Sequence, residues 1–240
     1  MNKILLILLV LLAPLNTAFA DTDYYFRDTY YQPAANASPL GIGFDGTYFW
    51  VSDGFADDIY RLGEDALVTG FSFDTAASGN DEPLGGVAFY ASNIYVTDFT
   101  DQMAYTYNTS GTLLATTSLF TSSGGLNNAP KGMVFDGTYF WIVDTNDDEV
   151  YKYNSSLVYQ SVSFDTAASG NADPVGIAFD GTYLWVTDSA DDEVYKYDTS
   201  GTYQSVSFDT AASGNADPEG ITYNGYSFVV VDSFDDRLYQ

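Results

Sequence analysis

One phrase of about fifteen residues recurs five times along this chain of 240 residues, and it constrains the fold more than any other feature. It is clearest between positions 174 and 188, where the sequence reads PVGIAFDGTYLWVTD. The opening proline stands at positions 39, 83, 130, 174 and 218, so consecutive copies lie 44, 47, 44 and 44 residues apart. A fixed period in this range indicates an array in which each copy forms one supersecondary unit.

Each copy carries the signals of four short strands. The first, residues 176–179, is apolar and begins with glycine, and the dipeptide Asp180-Gly181 after it predicts a two-residue type I′ hairpin. The second, residues 184–186, is apolar at successive positions, which indicates a strand covered on both faces. The third and fourth, residues 194–197 and 203–208, alternate more, as an outer and partly solvated edge does.

Four antiparallel strands in a repeat of this length are typical of one blade of a β-propeller. Five copies therefore predict an all-β, five-bladed β-propeller with four antiparallel strands per blade. The fifth unit stops after its third strand at Gln240, whereas residues 24–31 stand before the first unit, where a fourth strand would lie. We expect this N-terminal strand to complete the last blade, because closure of the ring removes the free edges that an open array would have.

The first 20 residues have the pattern of a secretory signal peptide. Lys3 precedes an apolar run over residues 4–12, and the stretch ends in the small-residue cleavage signal Ala18-Phe19-Ala20. The pattern predicts a single mature propeller domain over residues 21–240 that is secreted to the periplasm, the cell surface or the extracellular space. Nothing later in the chain is apolar enough to span a bilayer, so we expect no membrane insertion.

Two absences from the sequence exclude whole classes of catalytic site. The chain has no histidine and no cysteine, which rules out a Ser-His-Asp or Cys-His nucleophile and a zinc site built from thiolates or imidazoles. The 33 acidic residues outnumber the 7 basic ones and give a net charge of −26. Such a chain repels nucleic acid and anionic membranes and attracts cations, so we expect no nucleic-acid partner.

Residues 186–197, VTDSADDEVYKY, resemble the signature of NHL-type and YVTN-type bacterial β-propeller repeats, in which a strand ends in Asp and a short polar loop leads into a Val or Ile strand. The resemblance covers all five units. It implies a propeller fold and a role among binding platforms, cell-surface proteins and metal-dependent hydrolases or lactonases. In the NHL pattern a basic residue commonly precedes the Val or Ile, but here only Arg237 does so, against Asp58, Glu149 and Glu193, which argues against a nucleic-acid role.

About half of the 33 acidic residues stand in the loops between the second and third strands. In a four-stranded blade these loops and the interblade linkers leave on the same face, so the acids should surround one mouth of the central channel. Oxygen ligands gathered on loops are what Ca²⁺ binds, and Ca²⁺ is the candidate cofactor. The candidate metal ligands are Asp53, Asp57, Asp98, Asp101, Asp144, Asp147, Asp148, Asp188, Asp191, Asp192, Asp232, Asp235 and Asp236. In the alternative interpretation, the first Asp of each loop accepts backbone N–H groups of the turn and the other acids are solvated.

Aromatic residues recur at fixed positions of the repeat. Trp50, Trp141 and Trp185 share one mid-strand position, which predicts core packing between blades rather than stacking on sugars. Tyr195, Tyr197 and Tyr203 are candidates for exposed contacts with a glycan or a neighbouring molecule, with simple strand propensity as the alternative.

The five units are so alike that no blade is expected to carry a unique constellation of reactive residues, as an active site would require. We therefore expect an exported, non-enzymatic propeller with an acidic and candidate calcium-binding face. It would bind a protein or glycan partner or assemble with copies of itself, as a homo-oligomer. The alternative is a calcium-dependent hydrolase or lactonase, in which an ion at the channel mouth polarises a substrate oxygen and an Asp acts as the base.

Overall fold

The computed structural model describes residues 29–31, 38–63, 68–80, 83 and 85–240. They form five four-stranded antiparallel sheets, which are the blades of a β-propeller. The innermost strands of the sheets contact one another in a closed cycle, so the blades form a ring. The predicted signal peptide, residues 1–20, lies outside the described residues, as do residues 21–28 of the predicted N-terminal segment.

The blades are numbered in chain order, and each is listed from its innermost strand outward. Blade 1 consists of β2 (Pro39–Phe44), β3 (Phe49–Asp53), β4 (Asp58–Leu62) and β5 (Val68–Asp74). Blade 2 consists of β6 (Val87–Tyr90), β7 (Asn93–Asp98), β8 (Met103–Asn108) and β9 (Leu113–Ser118). Blade 3 consists of β10 (Pro130–Phe135), β11 (Tyr139–Asp144), β12 (Glu149–Asn154) and β13 (Tyr159–Asp165).

Blade 4 consists of β14 (Pro174–Phe179), β15 (Leu184–Asp188), β16 (Glu193–Tyr197) and β17 (Tyr203–Asp209). Blade 5 consists of β18 (Pro218–Tyr223), β19 (Phe228–Asp232), β20 (Arg237–Tyr239) and β1 (Thr29–Tyr31). Short 3-10 helices at Ala76–Ser78, Ala167–Ser169 and Ala211–Ser213 lie in three of the interblade linkers, and α1 (Leu119–Ser122) lies in a fourth. Among the residues described, no helix is long and apolar enough to cross a membrane.

The ring is closed by the two ends of the described chain. Strand β1 pairs antiparallel with β20, with Thr29 opposite Tyr239 and Tyr31 opposite Arg237. The five-bladed architecture is therefore confirmed, and so is its closure by an N-terminal strand, for the three residues that the structure describes.

The core lies between the blades rather than inside any one of them. One cluster, for example, packs Trp141 and Val143 of blade 3 against Ile177 and Val186 of blade 4. Trp50, Trp141 and Trp185 are each at most 2% exposed, so the prediction that the tryptophans pack between blades is confirmed. Burial of such large rings is a strong stabilising contribution, because aromatic side chains remove the most apolar area from water.

The predicted type I′ hairpin at Asp180-Gly181 is wrong. The loop has four residues, the backbone N–H of Asp180 donates to the Tyr183 carbonyl at 3.1 Å, and of the two only Gly181 has a positive φ, at 98°. The Asp180 carboxylate stabilises this wider loop, because Oδ1 accepts the N–H groups of Thr182 and Tyr183 at 2.8 and 2.7 Å. Its Oδ2 accepts the indole N–H of Trp185 at 2.7 Å.

A turn with positive φ at both central residues does occur in blade 2, whose sequence has neither Asp-Gly nor Asn-Gly at this turn. In blade 2, Ala91 and Ser92 have φ values of 51° and 64° and connect the directly paired residues Tyr90 and Asn93. Blade 2 has Tyr90 where the other blades have Asp or Asn, so no carboxylate or amide oxygen supports the four-residue loop, and the chain makes the shorter turn.

The third-strand tyrosines are structural. Tyr195 and Tyr197 are buried, so the candidate role in exposed contacts is wrong for these two, whereas Tyr203 is half-buried. The hydroxyl groups reach back to the linker of the preceding blade. Tyr197 Oη lies 2.5 Å from Ser169 Oγ, and Tyr239 Oη donates to the Gly214 carbonyl at 2.9 Å. Each such bond fixes a linker to the neighbouring sheet.

Candidate functional site at the acidic face

The loops between the second and third strands lie on one face of the ring, as the sequence predicts. In blade 4, Pro174 pairs with Asp188, Asp188 with Glu193, and Glu193 with Asp209. The start of the inner strand, the loop and the end of the outer strand therefore share one edge of the sheet. We call the five loops on this edge, residues 53–58, 98–103, 144–149, 188–193 and 232–237, the acidic face.

The first Asp of each loop is buried and belongs to the turn. These residues are Asp53, Asp98, Asp144, Asp188 and Asp232. At Asp188, Oδ1 accepts the N–H groups of Ala190 and Asp191 at 2.9 and 3.0 Å, and Oδ2 accepts those of Ala172 and Asp173 at 2.9 and 3.4 Å. Asp144 accepts four backbone N–H groups in the same way. A carboxylate with four such donors has its lone pairs occupied, and its role is to hold the loop to the incoming linker.

The other predicted ligands fall into two sets on the surface of the acidic face. Asp101, Asp147, Asp191 and Asp235 are exposed. Asp57, Asp148, Asp192 and Asp236 are half-buried and adopt left-handed backbone with φ between 53° and 57°. The carbonyl groups of Asp57, Asp148 and Asp192 bind the next linker, as when Asp192 O accepts the N–H and hydroxyl of Thr210 at 2.7 and 2.8 Å.

The acidic side chains of neighbouring blades interact electrostatically. Burial raises the pKa of Asp148, and the carboxylates of Asp165 and Asp173 raise it further. Burial likewise raises the pKa of Asp236 in blade 5, and the next cause is the carboxylate of Asp53 in blade 1. Since these like charges reach from one blade to the next, the negative potential continues around the face.

The predicted ligands surround the mouth without assembling into an ion site. In the part of the chain that the structure describes, no three acidic side chains lie close enough together to hold a metal ion. Ca²⁺ takes six to eight oxygen ligands, so the residues present do not fit a dedicated calcium site, and we derive no chemical step through such an ion.

An ion pair that the sequence analysis missed lies at the centre of this face. Lys131 and Glu219 are the residues after the repeat proline in blades 3 and 5, and Lys131 Nζ lies 3.6 Å from Glu219 Oε2. Burial raises the pKa of Glu219 above its usual value, while the Lys131 ammonium opposes the shift. The space beside the pair is about 10 Å³, which is room for at most about one water molecule. The described residues therefore narrow the channel at this mouth.

The expectation that no blade carries a unique constellation is wrong at this position. The residue after the repeat proline is Leu40, Leu84, Lys131, Val175 or Glu219. The two charged residues at this otherwise apolar position can be found by comparing the copies for their differences. They are not part of the pattern that the five copies share.

Two phenylalanines project from the acidic face. Phe55 and Phe234 are 84% and 86% exposed and occupy the same loop position in blades 1 and 5, which are neighbours in the ring. The other three blades have Thr100, Asn146 and Ala190 there. Because protein interfaces are enriched in aromatic side chains, these two rings are candidates for contact with another molecule.

Neither a family model nor a curated protein matches this chain. Solved structures match its fold. Glutaminyl cyclase from Myxococcus xanthus superposes with a TM-score of 0.65 at 15% identity, over 90% of this chain and 94% of the other. The nidogen/laminin complex superposes with a TM-score of 0.57 at 18% identity, over 82% of this chain and 73% of the other. Regucalcin from Agrobacterium tumefaciens, described as a calcium-binding protein, superposes with a TM-score of 0.54 at 13% identity, over 81% of this chain and 82% of the other. At such identities the similarity supports the propeller fold alone.

Proposed function

We propose that this chain is an exported, non-enzymatic binding protein of the NHL-type or YVTN-type repeat class, whose acidic face binds a positively charged protein. The observation that carries the proposal is the distribution of charge. Each of the five blades contributes loop carboxylates to the acidic face, and among the described residues no three acidic side chains converge. Dispersed charges suit a partner that presents several separated cations, whereas a single ion needs converging ligands.

The rest of the face fits a protein partner. A net charge of −26 attracts a basic surface over a distance and accelerates the encounter. Phe55 and Phe234 supply apolar contacts of the kind that interfaces favour. One matched structure is itself a protein complex, that of nidogen and laminin.

The other candidate partners have less support. The tryptophans and tyrosines considered for glycan contact have less support, because all three tryptophans and Tyr195 and Tyr197 are buried. Self-assembly through the acidic face would bring like charges together, which is unfavourable at moderate salt. A homo-oligomer would therefore have to form through another surface of the ring.

The proposal is tested by two variants of blade 4. Each removes one negative charge, the first at the end of the blade on the acidic face and the second at the opposite end. Asp191→Asn acts on the acidic face, where Asp191 is exposed. Asp198→Asn is the matched control, because Asp198 lies in the turn at the other end of β16, and blades 2 and 3 have Asn108 and Asn154 there. Calorimetric titration with a lysine-rich peptide measures the affinity of each.

We expect Asp191→Asn to weaken peptide binding about twofold to fivefold, the size of one exposed ion pair, and Asp198→Asn to change it less. Adding Asp147→Asn to Asp191→Asn should weaken binding further. Equal effects of the two single variants would mean that only net charge matters, and absence of binding by the parent protein at low salt would contradict the proposal.

A second function is favoured by one observation, the Lys131–Glu219 pair. A carboxyl group with a raised pKa beside an ammonium group, at the centre of one face, is an arrangement that acid–base catalysis uses. The hydrolase or lactonase alternative would place Glu219 as the proton donor and Lys131 against a developing negative charge. Steady turnover of an ester or lactone panel that Glu219→Gln abolishes would establish it.

A further inference from the structure

The channel end opposite the acidic face opens into a cavity of about 120 Å³. One aromatic residue from the innermost strand of every blade lines it, and all five of these side chains are half-buried. They are Phe44, Phe89, Phe135, Phe179 and Tyr223. The repeat therefore builds a ring of five aromatic side chains around one small space.

The remaining walls are aliphatic side chains and backbone. Ile42, Met133, Ile177 and Ile221 close the cavity toward the acidic face, and they also border the narrow space beside Lys131 and Glu219. Each innermost strand stands at the end of its sheet, so one of its edges has no neighbouring strand and faces the axis. Such an edge presents both backbone carbonyls and backbone N–H groups, and the carbonyl oxygens carry the partial negative charge that a cation can contact.

The charges around the cavity favour a cation. None of the described residues that line it has a charged side chain, so the cavity wall supplies no counter-ion to an anion or to a cation. Asp45, Asp136 and Asp180 directly follow three of the five rings in the sequence. The cationic side chains of this half of the molecule are held elsewhere, as when Lys152 Nζ lies 4.0 Å from the centre of the Tyr139 ring.

We propose that this cavity binds a quaternary ammonium group. Aromatic rings attract such cations through the negative charge of their faces. A quaternary nitrogen needs no hydrogen-bond acceptor, and its methyl groups can pack against the rings and the aliphatic side chains of the wall. At about 120 Å³ the cavity is roughly twelve times the space beside Lys131 and Glu219, and it has room for the few heavy atoms of a trimethylammonium head. The proposal concerns the opposite mouth and does not depend on the function proposed for the acidic face.

A pair of probes of equal shape separates charge from size. Choline and its neutral isostere 3,3-dimethylbutan-1-ol are titrated into the full chain at constant ionic strength. Binding of each is measured from the shifts of the aromatic NMR signals of the protein. We expect choline to bind at least about fivefold more tightly, because a cation–π contribution is present only with the charged probe. Equal affinities would show an apolar cavity without cation selectivity, and absence of choline binding would overturn the proposal.

Variants locate the probe. Phe179→Leu and Tyr223→Leu each remove one lining ring, and we expect each to weaken choline binding at least about threefold while the protein still melts cooperatively. Tyr226→Leu is the matched control, because Tyr226 is 93% exposed near the same end of blade 5 and does not line the cavity. An equal loss in Tyr226→Leu would place the probe on the surface and contradict the proposal. If one of the two lining variants fails to fold, the other variant and the comparison of the two probes still test whether the cavity binds the cation.

Discussion

The indole N–H of Trp141 donates a 2.7 Å hydrogen bond to Asp136 Oδ2, across the turn that joins the first two strands of blade 3. The same bond joins Trp50 to Asp45 in blade 1 and Trp185 to Asp180 in blade 4, at 2.8 and 2.7 Å. Blade 5, in which a valine replaces the tryptophan, has an asparagine in place of the aspartate. The turn residue and the core residue are therefore a matched pair.

This pairing predicts that Asp136→Asn destabilises the protein although the turn tolerates asparagine. An amide can still accept the N–H groups of Thr138 and Tyr139, but its Nδ2 donor would then face the indole donor. Leaving the indole N–H of a buried tryptophan unpaired should cost about 1–3 kcal/mol of unfolding free energy in a denaturant titration. Asn224→Asp is the control. It has no indole to satisfy and should change stability by less than about 0.5 kcal/mol.

Stability should fall as pH rises from mildly acidic toward neutral. Burial is the largest cause of a raised pKa in Asp58, Asp148, Asp192, Asp232, Asp236 and Glu219. A raised pKa means that the folded chain retains protons that the unfolded chain has released, so unfolding becomes easier with increasing pH. This stabilisation is complete below the ordinary values of 3.8 for Asp and 4.5 for Glu, and it is lost as pH passes through the raised values.

Melting temperatures measured between pH 4 and pH 8 test this expectation. Glu219→Gln should flatten part of the decline, because it removes one of the titrating groups. Asp198→Asn is the contrasting variant, since hydrogen bonds, first that of the Ser200 hydroxyl, lower the pKa of Asp198. A parent protein whose melting temperature rises steadily toward pH 8 would contradict the account.

The exposed phenylalanines should matter for a partner with apolar side chains and not for a purely cationic one. The double variant Phe55→Ala and Phe234→Ala is expected to weaken binding of an amphipathic Lys/Leu peptide by about tenfold, the size of a modest interface hot spot. Binding of a Lys/Ser peptide should be unchanged. Since blade 4 already has Ala190 at this position, the double variant should melt like the parent. Equal losses for the two peptides would show that the rings do not contact the partner.

Closure of the ring predicts that a chain starting at residue 32 loses cooperative melting or aggregates. Without β1, the edge of β20 from Arg237 to Tyr239 has no partner strand. Addition of a peptide covering residues 24–38 should restore the melting transition, which separates loss of the strand from general damage. Unaltered melting of the truncated chain would mean that β1 contributes nothing to closure.

The architecture could be predicted from the sequence because it depends on what the five copies share. The five recurring prolines predict five blades, and the missing fourth strand of the last copy predicts closure by the N-terminal segment. The turn at Asp180 could not be predicted from the dipeptide. The type I′ preference of Asp-Gly reflects backbone conformation alone, whereas the Asp180 carboxylate also accepts the backbone N–H of Tyr183 and the indole N–H of Trp185. Tyr195 and Tyr197 were expected to be exposed, but both are buried, and the Tyr197 hydroxyl contacts Ser169 in the linker that follows the preceding blade.

The site was harder to predict for a different reason. Lys131 and Glu219 are 88 positions apart in the sequence, and no local pattern indicates that they meet. The grouping of the acids on one face followed from strand direction alone, whereas their failure to converge depends on side-chain positions. The cavity ringed by Phe44 and its four counterparts is likewise visible only when the ring of blades has closed.

The most direct test of the account is hydrogen exchange of the protein with and without a lysine-rich peptide. The backbone amides of Ala190 and Asp191 donate to the Asp188 carboxylate and lie in the loop that should contact the peptide. We predict slower exchange in residues 188–193 and in the corresponding loops of the other blades, with no change in the opposite turn at residues 180–183. Protection confined to that opposite turn, or no protection anywhere under binding conditions, would contradict the assignment of the acidic face as the binding surface.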